Sequence, residues 1–144
     1  MIGQIDVKSS PVYFYVQRST DFTAVNVPIP FEVTRLNVGN AMNTASGIFT
    51  APKPGTYFFS FSGIGSVNSV LTLQLYLNNN VIGSGLADTT SAALPTFTLQ
   101  STLQLNAGDQ ISLKFSNMRN GYLHDDGNHY THFTGWLLQE DLNY

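Results

Sequence analysis

The feature that most constrains this chain is a two-residue alternation of apolar and polar side chains. Val12, Phe14 and Val16 share one parity, and the same pattern returns over residues 71–77 and 97–105. A period of two places successive side chains on opposite faces of a β-strand, whereas an amphipathic helix needs a period near 3.6 residues. Because no segment shows the helical period, we predict an all-β fold in which each strand turns one apolar face to a core.

Turn residues separate these strands at short intervals. Asn78-Asn79-Asn80 and Asn106-Ala107-Gly108-Asp109 each interrupt two apolar runs, and both sequences are typical of hairpin turns. We therefore predict a hairpin at each position. Strands of this length fit eight to ten times into 144 residues, which indicates one β-sandwich or barrel.

Charge and cysteine content exclude several classes of function. Charged residues make up 10% of the chain, and its six Lys and Arg residues are scattered, so we expect no nucleic-acid partner. No apolar run approaches the ~20 residues of a transmembrane helix, so we expect no membrane insertion. The absence of Cys excludes a disulfide framework and a thiol nucleophile.

The second faces of the first and last strands are aromatic too. Tyr13 and Tyr15 alternate with the apolar residues of their strand, and Trp136 has the opposite parity to Phe133. Exposed aromatic patches larger than a few hundred Å² usually mark an interface. Either another subunit or neighbouring loops can cover such side chains, and we expect a subunit contact at Trp136.

Several separated segments carry a family resemblance. They are Asn37-Val38-Gly39-Asn40, Gly47-Ile48-Phe49-Thr50-Ala51-Pro52, Pro54-Gly55-Thr56-Tyr57-Phe58-Phe59, Leu75-Tyr76-Leu77-Asn78-Asn79, residues 101–109 and Thr131-His132-Phe133-Thr134-Gly135-Trp136-Leu137-Leu138. In order and spacing, from about Pro11 to Leu138, they resemble a C1q domain.

The resemblance implies a jelly-roll β-sandwich of about ten strands, of the kind shared with tumour necrosis factor. It also implies a secreted, extracellular homotrimer that is a recognition module and not an enzyme. We expect residues 11–144 to form the globular domain and residues 1–10 to be an N-terminal extension or linker. Because the chain contains neither a Gly-X-Y repeat nor Cys, we expect a globular head without a stalk.

Two sets of residues are predicted to shape this fold. Gly39, Gly47 and Gly55 stand where turns need a positive φ or a close backbone approach. The aromatic residues predicted to anchor the core are Phe14, Phe49, Tyr57, Phe59 and Phe133.

The chemically richest stretch covers residues 122–132, and its side chains could serve three functions. A zinc site could use His129, His132 and Asp125, but two residues three apart at the start of a strand point to opposite faces. Catalysis would need a nucleophile elbow or a paired-carboxylate framework, and neither is present.

The third function is ligand recognition. Carboxylates and amides hydrogen-bond sugar hydroxyls, and a tyrosine ring packs on an apolar sugar face. We predict a ligand site made of Asp125, Asp126, Asn128 and Tyr130 in an exposed loop. The same composition also suits an exposed loop with no ligand, and that alternative stays open.

Calcium is the one cofactor that the resemblance suggests, because some members of the family bind it through an acidic residue before the leucine-alternating strand. Asp88 falls at that position. Calcium needs 6–8 oxygen ligands, and Pro95 replaces the polar side chain expected seven residues later. Asp88 as a metal ligand and Asp88 as an ordinary loop residue both remain open.

The function predicted from these features is that of a soluble lectin or innate-immune pattern-recognition protein that binds glycans or microbial surfaces. The alternative is a signalling or extracellular scaffold module that binds a protein receptor. The second function would use a broad surface, whereas the first needs a sugar-sized site.

Overall fold

The computed structural model describes residues 10–89 and 93–142, so residues 1–9, most of the predicted N-terminal extension, lie outside the described part of the chain. Eleven strands and no helix occur in these two ranges. The described residues therefore contain no helix that could span a membrane. The strands are β1 (Tyr13–Gln17), β2 (Val33–Val38), β3 (Met42–Asn43), β4 (Ile48–Thr50), β5 (Gly55–Gly65), β6 (Val70–Leu77), β7 (Asn80–Asp88), β8 (Thr96–Leu105), β9 (Gln110–Arg119), β10 (Leu123–His124) and β11 (His132–Glu140).

The strands form two antiparallel sheets that pack face to face. In the front sheet β5 pairs with β8 along one side, and with β11 and then β10 along the other; β1 and β2 follow β11. The back sheet has the order β3-β4-β9-β6-β7. This arrangement confirms the predicted jelly-roll β-sandwich.

One predicted hairpin is confirmed and the other is wrong. β6 and β7 pair across Asn78 and Asn79, and Asn78 has φ 55°. By contrast, β8 belongs to the front sheet and β9 to the back sheet, so residues 106–109 carry the chain from one sheet to the other. A turn between two half-buried strands looks the same in sequence whether the strands pair or face each other across the core.

The core lies between the two sheets and is rich in aromatic rings. The five predicted anchors are all buried, with exposures of 0–2%. Phe14 lies 5.0 Å from Phe133 and 5.5 Å from Phe49, measured between ring centroids. Such pairs contribute about 0.5–1.5 kcal/mol each beyond the burial of their area. The predicted parity of the core strands is therefore confirmed.

The three predicted glycines each meet one of the two expected requirements. Gly39 and Gly47 have φ values of 91° and 75°. Gly55 is a close-approach position, since a Cβ there would lie 2.4 Å from the carbonyl oxygen of Gln139.

The outward side of the front sheet, which we call the outer face, changes from apolar to polar along the strands. Tyr13, Trp136 and Phe58 lie side by side on β1, β11 and β5, and the rings of Phe58 and Trp136 are 4.8 Å apart. Four residues further along β1, Gln17 pairs with His132. The outer face therefore has an apolar end and a polar end.

Candidate functional site

A buried carboxylate organises the segment between β9 and β11. Asp125 is only 4% exposed. Its Oδ1 accepts the backbone N–H groups of Gly127 at 3.2 Å and His129 at 3.0 Å, and its Oδ2 accepts that of Thr131 at 3.0 Å. The expectation that Asp125 lies exposed in a loop is therefore wrong. Its carboxylate partners three backbone donors and fixes the shape of the loop.

A second carboxylate holds the same loop from a distant part of the chain. Asp21 Oδ1 accepts the backbone N–H of Asp125 at 2.9 Å and lies 2.9 Å from His124 Nδ1. Beside it, Phe22 and Leu123 exchange two backbone hydrogen bonds of 2.9 and 3.0 Å. Because Asp21 is 104 residues from Asp125, no local sequence pattern reveals this contact.

The loop that carries Asp21 is anchored by a buried arginine. Arg18 is 5% exposed and donates to the carbonyl oxygens of Thr20, Asp21 and Pro30. Burial lowers the pKa of Arg18, and the charges of Glu32, Asp125 and Asp21 counter part of that effect. The guanidinium thereby holds residues 18–32 together, and the carbonyl oxygen of Arg18 accepts from His129 Nδ1, in the loop around Asp125, at 2.9 Å.

Glu32 is the direct ionic partner of this arginine. One Glu32 oxygen lies 3.4 Å from Arg18 Nη1, and the other accepts the N–H and the hydroxyl of Ser19. Burial alone would raise the pKa of Glu32, but the Ser19 hydrogen bonds and Arg18 lower it below its usual value.

Three of the four predicted ligand residues come together above this buried framework. Asn128 Nδ2 donates to Asp126 Oδ1 at 2.8 Å and to the Tyr130 hydroxyl at 3.3 Å. The imidazole of His124 stacks on the Tyr130 ring at 6.0 Å, and its Nε2 lies 3.7 Å from Asp126 Oδ2. Asp126, Asn128, Tyr130 and His124 form what we call the loop cluster.

The sequence prediction missed His124 and Asp21 as members of this site. His124 belongs to the same stretch as the predicted residues, and its alternation with Leu123, which is 0% exposed, could have identified it as outward-facing. His124 pairs with Ile64 at the end of β5, on the outward side of the front sheet. The loop cluster thus borders the polar end of the outer face.

The three residues of the possible zinc site each have different hydrogen-bond partners. His129 Nδ1 donates to the carbonyl oxygen of Arg18 at 2.9 Å, whereas His132 Nδ1 lies 3.3 Å from the hydroxyl of Tyr15. The oxygens of Asp125 are occupied by backbone N–H groups. These three side chains do not converge on one point.

Asp88 is the last residue of β7 and is exposed. Within residues 10–89 and 93–142, no group of three or more His, Asp or Glu side chains is arranged to hold a metal ion. Thr90 and Ser91, which could add oxygens beside Asp88, lie outside the described ranges. Its role as a calcium ligand remains a prediction.

The apolar end of the outer face holds a groove of about 350 Å³. Tyr13, Tyr15, Leu36, Thr134 and Trp136 contribute to its lining. Tyr13 is 37% exposed, Trp136 39% and Leu36 48%, so large apolar side chains meet solvent in one place. A surface of this kind is suited to burial against another protein.

Sequence comparisons place these features among known proteins. The profile of the C1q domain family matches residues 13–138. Complement C1q tumor necrosis factor-related protein 3 of Mus musculus is 33% identical over 131 residues, a stretch that covers 90% of this chain and 52% of the mouse protein. Caprin-2 of Danio rerio is 32% identical over 133 residues, covering 90% of this chain and 14% of its own. The chain thus spans about half, or less, of the length of these curated relatives.

Solved structures show the same fold. The globular domain of zebrafish complement 1qA protein superposes with a TM-score of 0.74 at 20% identity, covering 90% of this chain and 99% of that one. Murine APRIL superposes with a TM-score of 0.64 at 14% identity, covering 89% and 99% of the two chains.

Proposed function

The chain belongs to the C1q domain family, and from this we propose that it is a secreted, non-enzymatic recognition module that assembles as a homotrimer and binds glycans on microbial or other cell surfaces. The observation that carries the proposal is an exposed, hydrogen-bonded loop cluster beside an aromatic sheet face that carries few charges. The first feature suits ligand binding and the second suits assembly.

The homotrimer rests on the outer face. Its apolar end exposes Tyr13, Leu36 and Trp136 around the groove, which a second copy would remove from water. Across the six strands of the front sheet the only carboxylate is Glu140, which contacts Lys53 at 3.4 Å. An interface formed by this face therefore buries few charges, as stable subunit contacts require.

We expect Trp136→Asp to dissociate the trimer, because an unpaired carboxylate is costly to bury in an apolar interface. The measurement is molar mass by light scattering at micromolar concentration. Leu86→Asp is the matched control, since Leu86 is 64% exposed on the back sheet. If the trimer persists with Trp136→Asp, Trp136 lies outside the interface. A native protein with the mass of one chain would refute the homotrimer.

The loop cluster supports glycan binding through its chemistry. Asp126 and Asn128 provide oxygen acceptors and an amide donor for sugar hydroxyls, and Tyr130 is 38% exposed. Asp125 and Asp21 accept hydrogen bonds from the backbone of this loop. Because these bonds fix the loop, the exposed side chains of the loop cluster need little reorganisation to contact a ligand.

A glycan array with the native protein tests the ligand class, and reproducible binding to one group of sugars is the expected result. For a sugar identified in this way, the double substitution Asp126→Ala with Tyr130→Ala should weaken binding more than about tenfold, equivalent to about 1.4 kcal/mol. Asn79→Ala, in the exposed β6–β7 turn, should leave binding unchanged. An array with no bound sugar would instead favour a protein receptor. Equal binding by the double variant and by Asn79→Ala would show that the site lies outside the loop cluster.

A further inference from the structure

The backbone donors of the loop around Asp125 are already occupied. Four N–H groups of this loop donate to carboxylates of the loop itself, namely those of Gly127, Asn128, His129 and Thr131. Asp125 accepts three of these hydrogen bonds and Asp126 accepts the fourth. A ligand that approaches from solvent therefore finds none of these four N–H groups free.

The side-chain donors of the loop cluster are committed as well. Both protons of the Asn128 amide have acceptors, Asp126 Oδ1 at 2.8 Å and the Tyr130 hydroxyl at 3.3 Å. His124 Nδ1 lies 2.9 Å from Asp21 Oδ1. Because an ionised carboxylate can only accept, this ring nitrogen carries a proton and donates it to Asp21. The Tyr130 hydroxyl keeps its own proton for a ligand.

The acceptors of the loop cluster, by contrast, are open to solvent. Asn128 donates to Oδ1 of Asp126, so Oδ2 of this exposed carboxylate can accept from a ligand. His124 Nε2 lies 3.7 Å from Oδ2, beyond hydrogen-bond distance, and it carries a lone pair when the imidazole is neutral. The exposed amide of Asn128 adds its oxygen. The loop cluster therefore offers a ligand more acceptors than donors.

The charges at this end of the sandwich favour the same class of ligand. The carboxylates of Asp21 and Asp126 lie 2.9 and 3.7 Å from the imidazole of His124, and both side chains are more than 40% exposed. The guanidinium of Arg18 is 6% exposed and donates to three backbone carbonyl oxygens. Arg119 belongs to β9 of the back sheet. An anionic ligand group would therefore meet two exposed negative charges, whereas the charge of Arg18 lies beneath the surface.

We propose that the loop cluster selects uncharged glycans through their hydroxyl groups and rejects glycans that present a carboxylate, sulfate or phosphate group to it. The inference rests on the proposed function, since it assigns a ligand class to the same glycan site. A sugar hydroxyl can donate its proton to Asp126 Oδ2 or to His124 Nε2. An ionised acidic group has only acceptor oxygens, and Asp21 and Asp126 repel its charge.

The first test uses the native protein and a neutral sugar identified on the glycan array. Calorimetry compares that sugar with counterparts sulfated at each hydroxyl in turn, at about pH 8.5, above the range of roughly pH 5 to 8 in which imidazoles gain charge. We expect sulfation of the hydroxyls that contact the loop cluster to weaken binding more than about tenfold. An array on which the bound sugars are acidic, or sulfated counterparts that all bind as tightly as the neutral sugar, overturns the selectivity and leaves glycan binding standing.

Asp126→Asn tests whether the loop cluster is the source of this selectivity. Because Asn128 donates two hydrogen bonds to Oδ1, the amide oxygen of the variant keeps that place and its NH2 group takes the place of Oδ2. The substitution thus turns a free acceptor into a donor and removes one negative charge. We expect the preference for the neutral sugar over its weakest-binding sulfated counterpart to fall more than about tenfold.

Asp141→Asn is the matched control, because it removes the same charge at the other end of β5. The Asp141 N–H donates to the carbonyl oxygen of Pro54, just before β5, whereas His124 pairs with Ile64 near the end of that strand. A strand of this length spans roughly 30 Å, several times the Debye length of about 8 Å at physiological ionic strength. We expect this variant to keep the native preference.

The remaining outcomes separate this inference from the proposed function. An unchanged preference in Asp126→Asn, or an equal fall in both variants, overturns the assignment of the selectivity to the loop cluster and leaves glycan binding standing. An array with no bound sugar overturns both. The comparison of neutral and sulfated sugars with the native protein does not depend on how either variant folds.

Discussion

Replacing Asp125 by Ala is expected to lower the free energy of unfolding by about 3–5 kcal/mol. The substitution leaves the backbone N–H groups of Gly127, His129 and Thr131 without their acceptor in a place where Asp125 itself is 4% exposed. It also removes a negative charge that favours the buried guanidinium of Arg18. Chemical denaturation followed by tryptophan fluorescence measures the loss.

Asp126→Ala is the matched control, because its side chain is 47% exposed, accepts hydrogen bonds from Asn128 and lies 3.7 Å from Nε2 of His124. We expect it to change stability by no more than about 0.5 kcal/mol. Asp125→Asn should also be destabilising, since its amide group turns a donor toward a backbone N–H. Equal, small effects of Asp125→Ala and Asp126→Ala would show that the buried carboxylate is not what holds the loop.

Gly47→Ala is expected to cost more than about 4 kcal/mol and to prevent folding at ordinary temperature. A Cβ at position 47 would lie 1.9 Å from the carbonyl oxygen of Ile29 and 2.7 Å from its carbonyl carbon. Both atoms belong to the backbone, so relief requires residues 29–30 to move away from the turn. That movement would pull Ile29, which is 0% exposed, out of the core.

Gly108→Ala separates this close approach from the effect of φ alone. Gly108 has φ 91°, and a Cβ there would meet nothing within 4 Å, so only the left-handed backbone is penalised, by about 1–2 kcal/mol. Urea unfolding of both variants, with soluble yield for Gly47→Ala, measures the difference. Similar losses for the two variants would mean that the turn at Gly47 can move without disturbing the core.

The side on which each strand residue lies could be predicted from the sequence. Phe14 is 2% exposed and its neighbour Tyr13 is 37% exposed, as the alternation over β1 predicts. The same rule separates Phe133, at 1%, from Trp136, at 39%. Parity is a local property, because successive side chains of an extended strand point to opposite faces of the sheet. Turn glycines are also a local signal, and Gly39 and Gly47, predicted at turns, both have a positive φ.

Partners far apart in the chain were decided only by the tertiary structure. Alternation shows that β8 and β9 each have an apolar face, but both sheets turn such faces to one core, so it does not show that the strands belong to different sheets. Composition likewise marked Asp125 as a polar loop residue. Asp125 is buried next to Asp21, 104 residues earlier in the chain, and its charge interacts with that of Arg18. Whether a carboxylate is solvated or buried depends on such distant partners and not on its neighbours in sequence.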